Sequence, residues 1–363
     1  MDEIRCMNLG KIDNWLTEEQ TPIIEALAKL NKNGDRVLFV HNNGKLLASL
    51  TDGDVRRYIL NKGDLHGCVS QAANYCPQHL HISQRENARE FLQSKQLDGV
   101  PVVDGDGYII DIILGQKNAG NIKKKRLHVP VVMMAGGKGR RLYPYTRILP
   151  KPLIPIGEIP ISEHIINSFY EVGCQDFYLI VNYKKNMLKA YFNELYKDYN
   201  IHFIDEEKPL GTGGGLSLLK GVIRDTFILT NCDILINECF ERIYRFHREK
   251  RNIITMICSL KNFQIPYGIV NLGDNGTVSS MTEKPSVPFL TNTGCYVVEP
   301  QVIEELPDNT PLSFPDIIQH CRDNGGKIGV FPIGDDAWLD MGVPEEMENM
   351  RARLGVNSLE KLF

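Results

Sequence analysis

From residue 129 onward, short apolar runs alternate with segments whose apolar positions recur at helical spacing. Residues 131–134, 177–181, 201–204 and 226–230 are compact and apolar, the lengths expected of strands buried on both faces. Residues 187–196, 216–222 and 239–250 carry the helical pattern, and 345–354 closes the chain in the same way. This alternation predicts an α/β unit with a mixed, mostly parallel sheet and helices on both faces. A ligand is then expected at the carboxyl ends of the strands.

The pattern before residue 129 is different. Residues 37–54 can be laid over residues 100–117 at a constant offset of 63, each copy reading apolar strand, polar Asn/Asp/Gly turn, second apolar strand. A helical pattern precedes each copy, at 21–31 and at 84–95. A duplicated small α/β unit is expected, with repeats at about 1–62 and 63–120. The polar and basic stretch 121–128, which includes Lys123 to Arg126, reads as a solvated linker, and the second unit occupies 129–363.

Composition narrows the function classes. With 363 residues, 42% hydrophobic and 24% charged, the chain is long enough for two domains with a sizeable core. A net charge of −4 and an isoelectric point near 6.2 argue against a nucleic-acid binder. Nine cysteines show no CxxC pair or metal-ligand spacing, and several sit in apolar runs, so a reducing, cytoplasmic setting is expected. The amino terminus lacks a basic segment followed by an apolar core, and no run reaches about 18 apolar residues; neither export nor a membrane span is expected.

Candidate chemistry concentrates after the strand at 131–134, in Ala135-Gly-Gly-Lys-Gly-Arg-Arg-Leu142 and Pro150-Lys-Pro152. Gly136, Gly137 and Gly139 allow backbone N–H groups to approach an anion, and Arg141 and Lys151 supply charge for phosphoryl oxygens. The third glycine of the dinucleotide fingerprint is missing and there is no G-x-x-x-x-G-K-[ST] loop, so neither a dehydrogenase nor a P-loop ATPase is favoured. The segment resembles the opening motif of the sugar-1-phosphate nucleotidylyltransferases, G-G-x-G-[TS]-R-L followed by P-K-P-L. Arg140 departs from it, standing where that family has Thr or Ser.

The resemblance extends to residue 345 or so through an ordered set of motifs and implies a Rossmann-like nucleotidyltransferase fold. Asp233 in Asn231-Cys-Asp233 and Asp340 in Trp338-Leu-Asp-Met-Gly342 match its two aspartates, which share a Mg²⁺; oxygen ligands suit that ion. The run from Pro209 through Gly211 and Thr212 is similar to the segment associated with the nucleotide base and ribose, joining Ala135, Gly136, Gly137, Gly139 and Arg140 as nucleotide-binding candidates. Glu206 or Glu207 stands where a base-contacting side chain is expected. A carboxylate can accept from N1–H and N2–H₂ of guanine, which favours GTP over UTP, dTTP or CTP. Tyr267, Gly268, Glu283, Lys284, Asn292 and Thr293 match the motifs around the sugar phosphate.

The activity so implied is attack of a sugar 1-phosphate on the α-phosphorus of a nucleoside triphosphate, with Arg141 and Lys151 as the catalytic cations, giving a nucleoside-diphosphate sugar and pyrophosphate. The sugar is a hexose or hexosamine, and a role in bacterial surface glycan synthesis fits the resemblance. Residues 1–120 resemble a pair of CBS domains, which bind adenosyl ligands. Thr51 and Asp54 match the family's [ST]-x-x-D motif, and Leu114 and Lys117 depart from it in the second copy. An adenine nucleotide at Thr51 and Asp54 and a homo-oligomer are expected from this, with a structural or dimer-forming pair as the alternative. A catalytically silent nucleotide sensor is the alternative for the whole chain.

Overall fold

The computed structural model describes residues 12–33, 36–61, 63–64, 67–95, 97–115 and 127–355. The linker expected at 121–128 falls mostly outside the described residues, as does Lys117. Two compact units emerge: residues 1–122 with 261–289, and residues 123–260 with 290–363. The second unit was expected as one uninterrupted stretch. Instead the long strands Ile254–Gln264 and Ser286–Val298 each run from one unit into the other, and the hairpin between them groups with the amino-terminal residues.

In the first unit, Leu16–Thr17, Val37–Asn42 and Lys45–Thr51 form one three-stranded sheet, and Leu80–His81, Gly99–Val103 and Ile109–Leu114 form another. In each, the short strand pairs parallel with the middle one and the last two pair antiparallel with a bulge near the turn. The first turn is Asn43-Gly44 with φ of 49° and 85°, a left-handed pair that a two-residue hairpin with Asn-Gly adopts. Across the two copies, Leu46 N–H donates to Gly107 O and Ile109 N–H to Gly44 O, at 3.0 and 2.9 Å. These are equivalent positions at the 63-residue offset, so the duplication is also a local two-fold. Val37 and Phe39 share a core with Val103 and Ile109, so neither copy buries its apolar face alone.

Helices follow the sequence with two shifts. The first is Ile23–Asn33, and the pattern at 84–95 resolves into a 3₁₀ segment Ile82–Asn87 and helix Ala88–Lys95. Thr51 and Asp54 form a capping box at the start of helix Asp52–Leu60: Asp54 N–H donates to the Thr51 hydroxyl at 3.2 Å, and Thr51 N–H and hydroxyl donate to Asp54 Oδ2 at 2.8 and 2.6 Å. Arg57 pairs with the other Asp54 oxygen. These two residues hold a helix end in the structure as it stands.

Among the described residues the second unit is built on a seven-stranded sheet. Its order is Asn200–Asp205, Asp176–Val181, Val131–Met134, Phe227–Asn231, Ser286–Val298, Ile254–Gln264, Ile328–Ile333. The first four strands are mutually parallel, and Ser286–Val298 runs antiparallel to Phe227–Asn231. Alternate residues enter two cores: Val131, Met133, Phe177, Leu179 and Ile228 on one face, Val132, Ile180, Phe227 and Leu229 on the other. Burial on both faces explains why these strands read as unbroken apolar runs. Helices Ile161–Glu171, Lys185–Glu194, Phe240–Lys250, Phe314–Asp323 and Pro344–Arg353 accompany the sheet. The helix expected at 216–222 is a 3₁₀ run, Gly214–Leu219.

Candidate active site

Register sets the site before any side chain is considered. Met134 pairs with Ile180 and with Asn231, and Val181 with Asp205, so the four parallel strands end level. The residues that follow are therefore lined up along one edge: Glu206, Asn182, the glycine loop, then Cys232 and Asp233.

Ala135 N–H is committed to Ile180 O at 2.9 Å, and the chain leaves the sheet at the glycines. Gly139 has φ +60°, and a Cβ there would lie 2.8 Å from Thr146 Cγ2 and 3.1 Å from Lys151 Cβ, so glycine lets the loop fold onto the Pro-Lys-Pro segment. Gly137 faces open space, and Lys138, Arg140 and Arg141 are exposed. Lys151 forms an ion pair with Asp233 Oδ2, with only 12% and 10% of the two side chains exposed. Ser162 donates to Pro152 O at 2.7 Å and Arg351 to Pro155 O at 3.2 Å, pinning the backbone beyond Lys151.

The second carboxylate is delivered by a small ribbon. Ile234–Ile236 pairs antiparallel with Trp338–Asp340, with Ile234 opposite Asp340, and Met341 N–H donates to Asp233 O at 2.8 Å. Two aspartates over a hundred residues apart in sequence thus become neighbours. Burial, then the charge of Asp233, raises the Asp340 carboxyl above its ordinary range, against the opposing pull of Lys151 and Arg141. Gly342 leaves the space between them open, since a Cβ there would lie 3.1 Å from Asp340 Oδ1 and 3.4 Å from Arg141 Nη1. Arg141, Lys151, Asp233 and Asp340 therefore share one electrostatic neighbourhood.

Beyond the first strand in the sheet order, the structure separates the two glutamates: Glu206 is 4% exposed and Glu207 lies in solvent. The Glu206 carboxylate fills space left by two glycines, for a Cβ at Gly136 would stand 2.8 Å from Oε2 and one at Gly215 2.5 Å from Oε1. Oε1 has no hydrogen-bond partner. Burial pushes the carboxyl up to about 7, partly offset by the Leu210 N–H. Asn182, which no sequence pattern singled out, donates to Glu206 O at 3.0 Å.

Other expected residues have different surroundings. The glycines after Pro209 are packed on the chain itself, not left open for a flat ligand: Cβ atoms at Gly211, Gly213 and Gly214 would meet Leu312 O at 2.5 Å, Ile317 Cδ1 at 2.6 Å and Thr310 O at 2.2 Å. The exposed Thr212 hydroxyl accepts from Phe314 N–H at 3.1 Å. Thr293 is 2% exposed and its hydroxyl donates to Ile257 O at 2.7 Å, a role inside the sheet. Asn292 is exposed and donates to the Tyr296 hydroxyl at 2.7 Å. Tyr267, Gly268, Glu283 and Lys284 belong to the first unit, where a Cβ at Gly268 would lie 2.8 Å from Glu283 Oε2.

Comparison with known proteins adds to this geometry. Residues 130–355 match the family model described as Nucleotidyl transferase, and residues 15–61 match that of the CBS domain. Mannose-1-phosphate guanylyltransferase of Mycobacterium tuberculosis is 31% identical over 223 residues, 60% of this chain and 62% of that protein. The bifunctional protein GlmU of Methanococcus maripaludis is 32% identical over 222 residues, 59% of this chain and 51% of that protein. The chain thus spans about half to six-tenths of the length of these curated relatives. Among solved structures, HddC from Yersinia pseudotuberculosis matches with a TM-score of 0.49 and 23% identity, over 62% of this chain and 99% of that one.

Proposed function

The chain belongs to the nucleotidyl transferase family, and from that premise we propose that it joins GTP to a hexose or hexosamine 1-phosphate, releasing pyrophosphate. The observation that carries this reading is the shared neighbourhood of Arg141, Lys151, Asp233 and Asp340, along the same edge of strand ends as the buried Glu206 carboxylate, one oxygen of which has no hydrogen-bond partner. A sugar-phosphate oxygen forms the new bond to the α-phosphorus as the bond to the departing pyrophosphate breaks. The attacking phosphate is already anionic, so no general base is needed, and the protein's task is to position groups and stabilise charge. Arg141 would neutralise the leaving pyrophosphate, and Lys151 the α-phosphoryl and sugar phosphate.

Asp233 and Asp340 fit a hard divalent cation such as Mg²⁺, because both present oxygen and lie side by side. Among the described residues no group of three or more His, Cys, Asp or Glu side chains could hold a metal. Two protein carboxylates would therefore be completed by substrate oxygens and water. When bound, such an ion supplies charge neutralisation on the phosphates.

Glu206 supports GTP. As a carboxylate it offers two acceptors, which guanine's N1–H and N2–H₂ satisfy together. Uracil and thymine would set carbonyl oxygens against it and leave a buried acceptor unpaired. The guanylyltransferase among the relatives agrees. An adenine nucleotide in the first unit is a further part of this reading; it would have to replace Arg57 on Asp54.

The test is pyrophosphate release with Mg²⁺ across GTP, UTP, dTTP, CTP and ATP, each against a panel of hexose and hexosamine 1-phosphates. Turnover with GTP and one sugar supports the proposal. Turnover with a pyrimidine nucleotide alone overturns the role given to Glu206, and silence with nucleotide binding intact favours a sensor. Thermal shift with AMP, ADP and ATP tests the first unit, where no shift and no change in turnover would leave Thr51 and Asp54 as a helix cap only.

A further inference from the structure

Strand Asp176–Val181 and helix Lys185–Glu194 are joined by Asn182, Tyr183 and Lys184. Lys184 has a left-handed backbone, φ 51°, which a long side chain rarely adopts and which marks a place over-determined by its surroundings. Its ammonium donates to Arg147 O and, at 2.7 Å, to Ile148 O. These are carbonyls at the end of the short helix Tyr145–Ile148, groups with no acceptor role inside that helix. Tyr183 adds a bond from its hydroxyl to Thr146 O at 3.3 Å, and its own N–H donates to Gly136 O at 3.3 Å.

The chain of contacts continues to the catalytic cations. The Thr146 hydroxyl donates to Gly139 O at 3.0 Å, and Gly139 packs against Lys151, with Arg141 two residues on. Tyr145 and Ile148 are 44% and 73% exposed and Thr146 is the buried residue of this four-residue helix, so apolar burial contributes little to holding it. The polar tether from Tyr183 and Lys184 holds it together with the Thr146–Gly139 bond.

We propose that Lys184 is a positioning residue for the transfer reaction, setting the place of Arg141 and Lys151 through the segment 145–148. The inference rests on the transferase reading above. Lys184 itself touches no reacting group, so its effect is on geometry: a small displacement of a catalytic cation is enough to slow transfer on the order of tenfold or more.

The experiment compares the intact protein with Lys184→Met, which keeps the length of the side chain without its charge, and Lys184→Arg, which restores donors to the same carbonyls. Steady-state kcat and KM for both substrates are measured together with hydrogen exchange of the amides in 139–149. Expected are a drop in kcat of about tenfold for Lys184→Met with KM changed far less, faster exchange in that segment, and recovery of most of kcat in Lys184→Arg. Wild-type kcat in Lys184→Met, or a loss that Lys184→Arg does not recover, would overturn the proposal. If the wild-type protein releases no pyrophosphate with any substrate pair, the transferase reading fails and the catalytic role with it; faster exchange in Lys184→Met would then still establish the tether.

Discussion

Arg141 and Lys151 carry the same charge in the same neighbourhood, yet their removal should differ in kind. Arg141 is exposed, so Arg141→Ala is expected to lower kcat about a hundredfold or more while leaving thermal stability close to wild type, read by pyrophosphate release and a melting curve. Lys151 compensates a nearly buried Asp233, and taking away one member of such a pair strands the other charge. Lys151→Met should therefore lose about 3 kcal/mol of stability as well as activity. Glu206 gives a pH signature. Its folded value near 7 lies above the ordinary 4.5, so the folded protein binds the extra proton between those values, and stability falls as pH rises through that window. Glu206→Gln should be more stable than wild type near pH 8 by up to about 3 kcal/mol, and the difference should vanish near pH 4; a difference that persists at low pH would refute the assignment. Arg141, Lys151, Asp233 and Asp340 could be found in the sequence because each belongs to a local motif of chemically distinctive residues. Asn182, Tyr183 and Lys184 could not, since they act on carbonyl oxygens 24 to 37 residues away that leave no mark on residue type.

Strands at 131–134, 177–181, 201–204 and 226–230 were readable because burial on both faces leaves an unbroken apolar run. Their parallel direction followed from the alternation with helices, whereas the place where Ser286–Val298 enters antiparallel, in the middle of the sheet, left no mark on that pattern. The glycines after Pro209 were legible as a tight loop, but composition alone does not say what comes close to them. The structure answers that the neighbours are the 310–317 segment and the Glu206 carboxylate. Gly215→Ala makes the point testable: its methyl would stand 2.5 Å from Glu206 Oε1 and 2.8 Å from Ile180 Cγ2, both in buried surroundings. Overpacking of this kind costs about 1–3 kcal/mol, and the displaced carboxylate should raise KM for the nucleotide while KM for the sugar phosphate changes little. Gly137→Ala, which meets nothing, is the matched control in melting measurements.

The whole molecule has two units with separate cores, so unfolding is expected to depart from a single two-state transition. Calorimetry should resolve two events, and one symmetric transition with equal calorimetric and van't Hoff enthalpies would count against it. The 63-residue duplication was visible in the sequence because repeated strand-turn-strand patterns survive as repeated polarity. The membership of residues 261–289 was not, because grouping across that distance depends on packing between segments with no shared pattern. That grouping bears on how the protein can be dissected. The chain passes from one unit to the other at three points, after residues 122, 260 and 289. A deletion ending near residue 126 would not excise a detachable regulator; it would leave the 261–289 hairpin orphaned from the rest of its own unit. Loss of activity in such a truncation would confound broken regulation with broken architecture, and point substitutions in the intact chain are the cleaner scalpel.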